Sequence, residues 1–417
     1  MYIKRAAEEA IMKVSATFPV LLVTGPRQVG KSTVLQQLAE SNRTIVTLDD
    51  VDIRYLAKTD PALFLQRYKT PLIIDEIQYA PELLPYIKME VDKSKTEGQF
   101  WLTGSQAFHL MQNVSETLAG RVGIINLLGL SSSEIYNYPS VPFDTNSERL
   151  IIRVSEVPKK ELPEIYQRIF KGSMPRLYDN LEVDWETYYR SYVNTYLQRD
   201  IRDLTQVADE MTFLNFMRVV AARTSRTVIY EELANEAGIT APTAKKWLSI
   251  LVSSHIVALV MPYSNNVLKR VTKMPIMHFL DTGLCAYLLK WNSPEILENG
   301  AMAGEFFESY VFSEIYKSYL NQGKEPPLYF YRDKDKKEID LIIYENGALY
   351  PIEIKKAASP GKSAIKNFPV LNPVMEPEKF GQVHSLKTKI GNGAVICMAN
   401  DVLPIDEKNW YVPVWTI

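Results

Sequence analysis

The stretch VLLVTGPRQVGKST, residues 20–33, constrains the fold more than any other part of the chain. An apolar run, Val20–Thr24, leads straight into Gly-x-x-x-x-Gly-Lys-Ser, and a helical pattern follows. A strand that delivers a glycine-bounded loop onto a helix N-terminus is a phosphate loop. Its glycines let the backbone curl until successive N–H groups converge on an anion. The expected nucleotide cradle is Gly25, Pro26, Arg27, Gln28, Val29, Gly30, Lys31, Ser32 and Thr33. In it Lys31 reaches the β- and γ-phosphate oxygens of ATP and Ser32 is a ligand of Mg²⁺. Lys31 reads as an exposed loop residue that packs no core, so its removal is expected to cost binding and not folding.

The flanking sequence agrees. Apolar runs VLLVTG, IVTLDD, PLIIDE, QFWLTG and VGIINLLGL alternate with helical patterns up to about Glu134. Such alternation implies parallel strands with crossover helices, an α/β layer fold. One strand, Leu72–Ile74, ends in Asp75 and Glu76. Asp75 is placed to hold Mg²⁺ and Glu76 to polarise the attacking water. The strand FWLTG ends near Thr103, Gly104, Ser105 and Gln106, polar groups expected beside the γ-phosphate. In TLAGRV, Arg121 either reaches a neighbouring subunit's nucleotide or pairs with a local acid.

With 417 residues, 46% of them hydrophobic, the chain is long enough for two or three cores. The net charge of −2 advertises no nucleic-acid binder, so a basic surface must be local. The cysteines, Cys285 and Cys397, are too few for a disulfide framework. They suggest a reducing compartment, and the cytoplasm is the expected location. The opening MYIKRAAEEAIMK has acids where a signal peptide needs an apolar centre, and Trp247–Met261 is too short and interrupted for a membrane span.

Four units are expected: an ATPase core over 1–134, a helical connector over 135–210, a winged helix over 211–300 and a final α/β unit over 301–417. In the connector, Tyr188, Tyr189, Tyr192 and Tyr196 could stack bases, but their spacing favours a packed helix face. Arg199-Asp200 and Arg202-Asp203 read as solvated pairs. VIYEELANEAGITAPTAKKWLSILV gives a helix, a turn at Gly238 and a second helix opened by Thr240; Asn265-Asn266 then marks a hairpin turn. If DNA binds, Thr243, Lys245 and Lys246 face its groove, with Lys269 and Arg270 on phosphates. Glu231, Glu232 and Glu236 weaken that positive field, and protein contact is the competing reading. His109, His255, His278 and His384 have no metal-ligand spacing and read as structural.

The last unit contains EIDLIIYENGALYPIEIKK, residues 338–356: two apolar runs joined at Asn346-Gly347. Alternation places Glu353 and Lys355 on one side of a strand. Either Asp340, Glu353 and Lys355 are the polar face of an ordinary hairpin, or they gather round a metal ion. Carboxylates inside apolar strands are costly unless ligated or at an edge, which favours the second reading.

The runs GPRQVGKST, LDD, LIIDEIQ, LTGSQ and LAGR, in that order, resemble prokaryotic AAA-type ATPases of the origin-recognition and STAND-like branch. FLDTGL and YRDKDKKEIDLIIYENGALYPIEIKK resemble the uncharacterised C-terminal domain that commonly follows this ATPase, so the likeness spans nearly the whole chain. Gly172-Ser173-Met174-Pro175 departs from it, standing where Gly-Gly-x-Pro is frequent. The final unit also resembles nucleases of the PD-(D/E)xK type, a restriction-endonuclease-like α/β fold. On that pattern Glu308, from the preceding helix, joins Asp340, Glu353 and Lys355. Two functions follow as expectations: an ATP-driven enzyme acting on nucleic acid through a metal-dependent nuclease-like unit, or a nucleotide-controlled switch that binds protein. DNA, a second copy of the chain and another protein are the candidate partners.

Overall fold

The structure is a computed structural model and describes residues 2–104, 114, 116–196, 210–264, 274–335, 337–371 and 389–417, leaving the side chain of Tyr196 aside. Ser105, Gln106, His109, Arg199, Asp200, Arg202, Asp203, Asn265, Asn266, Lys269, Arg270 and His384 therefore lie outside the described residues.

Five strands form the first sheet: β1 Val20–Thr24, β2 Thr44–Thr47, β3 Leu72–Asp75, β4 Phe100–Gly104 and β5 Val122–Asn126. Their order is β2-β3-β4-β1-β5, and all neighbours are parallel. Every residue of β1 is buried, as expected for a parallel strand covered on both faces. Alternation divides its side chains between two cores. Leu21 and Val23 join Trp101 and Ile125 on one face, while Val20 and Leu22 join Ile74, Phe100 and Leu102 on the other. Because β4 lies between β1 and β3, the phosphate loop after β1 and the acids after β3 meet at the sheet's carboxyl edge.

The chain then runs through helices that include Leu162–Lys171 and Trp185–Tyr196. Tyr189 and Tyr192 are fully buried and Tyr188 nearly so. These rings pack and cannot stack bases. Tyr189 donates its hydroxyl to Asp281 at 2.7 Å.

Next come helix Glu210–Ala222, β6 Arg226–Thr227, helix Tyr230–Ala237, helix Ala241–Ser253, β7 Val257–Pro262 and β8 Ile276–Phe279. Gly238 takes the left-handed conformation, φ 69°, that turns one helix into the next. Thr240 caps the Ala241–Ser253 helix through the Thr243 N–H. Both β6 and β7 pair antiparallel with β8.

The expected boundary near residue 300 does not divide the sheets. Strand β9, Leu328–Arg332, pairs with β7 through Met261–Tyr329 and Pro262–Phe330. The sheet continues into β10 Glu338–Glu345, β11 Ala348–Ile354, β13 Gly393–Cys397, β15 Asn409–Pro413 and β14 Leu403–Pro404, with β12 Lys389–Ile390 paired to β11. Among the described residues, ten strands thus form one mixed sheet. Hydropathy patterning marks strands but not which edges they meet, so this continuity was illegible in sequence. The helix Ala303–Leu320 packs over it with Phe306, Phe307, Val311 and Ile315 buried.

Candidate functional site

The phosphate loop follows β1 as a strained turn. Gly25 sits at φ +147°, and a Cβ there would lie 1.9 Å from the Leu127 carbonyl oxygen, so only glycine fits. Gly30, φ +89°, opens the helix Lys31–Leu38 with no side chain capping it. A helix N-terminus of this kind presents backbone N–H groups that an anion can take. Lys31 donates to the carbonyls of Gly25 (3.0 Å) and Pro26 (2.7 Å). That corrects the exposed-loop reading: Lys31 is buried, because the loop wraps its own lysine.

Strand β3 delivers the acids. Ser32 Oγ donates to Asp75 Oδ1, which also accepts from Thr103 Oγ1 at 2.5 Å; Thr47 Oγ1 lies 3.3 Å from Asp75 Oδ2. A hydroxyl and a carboxylate in contact are the hard oxygen donors that Mg²⁺ takes, so Ser32 and Asp75 fit that ion. Glu76 has φ 58° and ψ 49°, a left-handed conformation uncommon outside glycine. Its N–H is fixed by Thr103 Oγ1 at 3.0 Å, and Gln78 Nε2 donates to its carboxylate. Sequence reasoning singled out neither Thr47 nor Gln78. Gln78 follows the acids by two residues, and its sequence context carries no further mark.

Arg5 was also missed. It is buried at 4% exposure and donates to Val29 O in the loop (2.6 Å), to Leu128 O (2.7 Å) and to Glu134 Oε1 (2.8 Å). No local pattern distinguishes it from the neighbouring Lys4.

Arg121 pairs with Asp92, Nε to Oδ1 at 2.6 Å and Nη2 to Oδ2 at 3.0 Å. It precedes β5, which runs parallel to β1, so it stands at the amino edge of the sheet. A five-residue strand, roughly 17 Å, separates that edge from this chain's own phosphate loop.

A second site lies in the C-terminal sheet. Asp340 on β10 and Glu353 on β11 flank the ammonium of Lys355, which is 2.7 Å from Glu353 Oε1 and 3.6 Å from Asp340 Oδ2. Asp340 Oδ2 also accepts the Ile354 N–H at 2.8 Å. Glu308, from the helix Ala303–Leu320, is close enough that burial and then the Asp340 charge push its carboxyl well above the usual range. Burial, followed by Asp340, raises Glu353 to about 7. Burial pulls Lys355 down, but Asp340 and Glu353 outweigh it and hold it above its usual value. The four residues named from sequence are therefore neighbours. Glu353 Oε2 is buried without a hydrogen-bond partner, an orphan acceptor that would suit a cation. Among the described residues, however, no group of three or more His, Cys, Asp or Glu side chains stands close enough to hold a metal ion. Lys355 supplies the positive charge between the strands.

On the helix Ala241–Ser253, Lys245 and Lys246 are exposed, while Thr243 shares its hydroxyl with Thr240 at 2.8 Å. Nearby, Arg223 pairs with Glu232 and Glu236. Ser173, at the departure from the expected Gly-Gly-x-Pro, donates through its N–H (2.7 Å) and hydroxyl (2.6 Å) to Asp281 Oδ2. His278 is buried, stacked on Phe312 at 4.4 Å, in keeping with a structural role.

Residues 17–136 match a family model described as "AAA domain". Residues 162–295 and 303–417 match two families described as domains of unknown function, DUF8612 and DUF4143. Uncharacterized proteins of Mycobacterium bovis and Mycobacterium tuberculosis are each 27% identical over 362 residues, 86% of this chain and 75% of theirs. Among solved structures, a Walker-type ATPase of Pyrococcus abyssi is 15% identical, covering 69% of this chain and 96% of its own, with a TM-score of 0.43. A STAND protein with a tetratricopeptide repeat sensor from Pyrococcus horikoshii is 12% identical, covering 78% of this chain and 48% of its own, with a TM-score of 0.24. The parallel sheet, the phosphate loop and the family match together define an α/β core of the P-loop, AAA-type ATPase class. Among the described residues no helix is long and apolar enough to cross a membrane.

Proposed function

We propose that the chain is a Mg²⁺-dependent ATPase whose nucleotide state governs a nuclease-like site of the PD-(D/E)xK type acting on nucleic acid. The observation that carries this reading is the proximity of Glu308, Asp340, Glu353 and Lys355, contributed by one helix, two paired strands and the residue that follows them. At the phosphate loop, Lys31 neutralises phosphate charge, Ser32 and Asp75 hold Mg²⁺, and Glu76 orients the attacking water as base. Thr103 fixes the backbone of Glu76 for that task. Arg121, far from its own loop, is free to serve a nucleotide in an adjoining copy once released from Asp92. In the C-terminal sheet, Asp340 and Glu353 would hold a divalent cation, which when bound supplies Lewis-acid activation of a phosphodiester. Lys355 would then swing from the carboxylates to the phosphate oxygens, and Lys245 and Lys246 would contribute backbone-phosphate contacts.

One observation favours the second reading, a switch that binds protein without cutting. The Lys355 ammonium already lies beside both strand acids, where a metal ion would otherwise supply the positive charge. Calorimetric titration of Mn²⁺ and Mg²⁺ into wild type and Asp340→Asn separates the two. Binding by wild type that is lost in the variant supports the metal site; superimposable curves support the switch.

A further inference from the structure

Arg5 joins the phosphate loop to the segment Leu128–Glu134, which in turn bonds the C-terminal helix Ala303–Leu320. Its guanidinium divides three ways: Nη1 to Val29 O, Nη2 to Leu128 O and Nε to Glu134 Oε1. A trans peptide is planar, with its C=O and N–H on opposite sides. Once the Val29 carbonyl is held on Arg5, the N–H of Gly30 must point away from Arg5. That N–H opens the loop-to-helix turn, where phosphate-binding donors converge.

The other two arms hold the segment Leu128–Glu134. Leu127 N–H donates to Thr24 O at 2.8 Å, beside Gly25, which ties this segment to the loop's first turn. Glu134 is fixed in a capping box with Ser131 and takes the Ala6 N–H at 2.8 Å. Further along, the Leu130 carbonyl accepts from Arg168 Nη2 (2.9 Å) and Lys317 Nζ (3.2 Å), and the Ser132 N–H donates to Glu314 Oε2 (2.7 Å). Glu314 and Lys317 belong to the helix Ala303–Leu320, which also carries Glu308. Six residues, about 9 Å along the axis, separate Glu308 from Glu314.

We propose that Arg5 is a positioning residue for nucleotide, setting the Val29–Gly30 peptide in its anion-binding orientation and making that orientation depend on how the Ala303–Leu320 helix seats against Leu130 and Ser132. The proposal rests on the phosphate loop binding ATP. It adds that loop shape and C-terminal seating change together, so each end reports on the other.

The test uses the full chain. Affinities for ATP and ADP are measured by calorimetry in wild type, Arg5→Lys, Arg5→Gln and Glu134→Gln, and amide hydrogen exchange of residues 303–320 is followed with and without ATP. Nucleotide should protect those amides in wild type. Arg5→Gln should weaken both nucleotides tenfold or more and abolish the protection. Arg5→Lys, a point charge that cannot make the three-way fork, should restore only part of each effect. Glu134→Gln leaves the arginine in place and should weaken binding several-fold, so the proposal stays testable if Arg5→Gln fails to fold. A purely structural arginine would lower the melting temperature yet leave the affinity and exchange of the folded variants at wild-type values, and that result overturns the proposal. Failure of wild type to bind nucleotide overturns the ATPase reading along with it, whereas wild-type binding matched by all three variants overturns only this inference.

Discussion

The Lys355 ammonium lies 2.7 Å from Glu353 Oε1, its own residue standing two positions further on, just past the end of β11 at Ile354. Alternation alone brings the two side chains to one side, and the pairing of β10 with β11 adds Asp340. The consequence is a carboxylate pair with a resident ammonium. On the proposed nuclease reading, a divalent ion entering there would displace Lys355, and the substrate phosphate would receive the freed charge.

Lys355→Ala should therefore bind Mn²⁺ as well as wild type or better, since a competing cation is gone, while any strand cleavage falls about 10²-fold or more. Parallel calorimetry and cleavage assays check both halves. Loss of metal binding would make Lys355 a scaffold for the acids.

Arg168, Glu314 and Lys317 form a buried ionic cluster, with Glu314 Oε1 3.3 Å from Arg168 Nη2 and 3.0 Å from Lys317 Nζ. Burial raises the Glu314 carboxyl, yet Lys317 and Arg168 outweigh it and hold the group below its usual range. Glu314→Gln should destabilise the folded chain by about 3–5 kcal/mol, because two cations stay buried without their anion. Denaturant unfolding measures it; a loss near zero would mean that water reaches the cluster in solution.

Lys31→Ala should lose most nucleotide affinity. Since Lys31 is buried on the Gly25 and Pro26 carbonyls, it should also lower the stability of the nucleotide-free protein, contrary to the reading of an exposed loop residue. Glu76→Gln should keep ATP affinity and slow hydrolysis about 10²–10⁴-fold, the worth of a positioned base. Calorimetry and steady-state turnover distinguish the two variants, and equal turnover for Glu76→Gln would reassign the base.

Much of this was legible in the sequence because its signals are local. A strand, a glycine-bounded turn and a helix place Lys31 and Ser32 whatever else the chain does, and period-two alternation places Glu353 with Lys355. What was illegible is non-local. Arg5 reaches Glu134 across 129 positions and Glu314 reaches Ser132 across 182, and no motif records either. The join between β7 and β9 depends on which strand edge is left unpaired, which hydropathy does not encode. The tyrosines of Trp185–Tyr196 showed the reverse weakness: an aromatic face suits bases and cores alike until burial decides.

His278 should set part of the acid sensitivity. It is fully buried, and that burial lowers its pKa to about 3. The folded protein keeps the ring neutral while the unfolded chain protonates below about 6.5, so the stability it contributes is present above that pH and lost as pH falls toward 3. His278→Phe should therefore flatten the decline, narrowing its stability difference from wild type by about 1 kcal/mol for each pH unit below 6.5. Denaturant midpoints at pH 7.5 and 5.0 provide the comparison; a difference that does not change with pH would place the ring in contact with water.

The most direct measurement of the central claim is degradation of supercoiled plasmid and single-stranded DNA by the purified chain in Mn²⁺ or Mg²⁺, with and without ATP, for wild type, Lys31→Ala and Asp340→Asn. Wild type should cleave in a metal-dependent manner that ATP alters. Lys31→Ala should lose the response to ATP, and Asp340→Asn should lose cleavage while retaining ATP hydrolysis. Wild-type protein that hydrolyses ATP but leaves both DNAs intact under every condition, or Asp340→Asn protein that cuts as well as wild type, would contradict the claim.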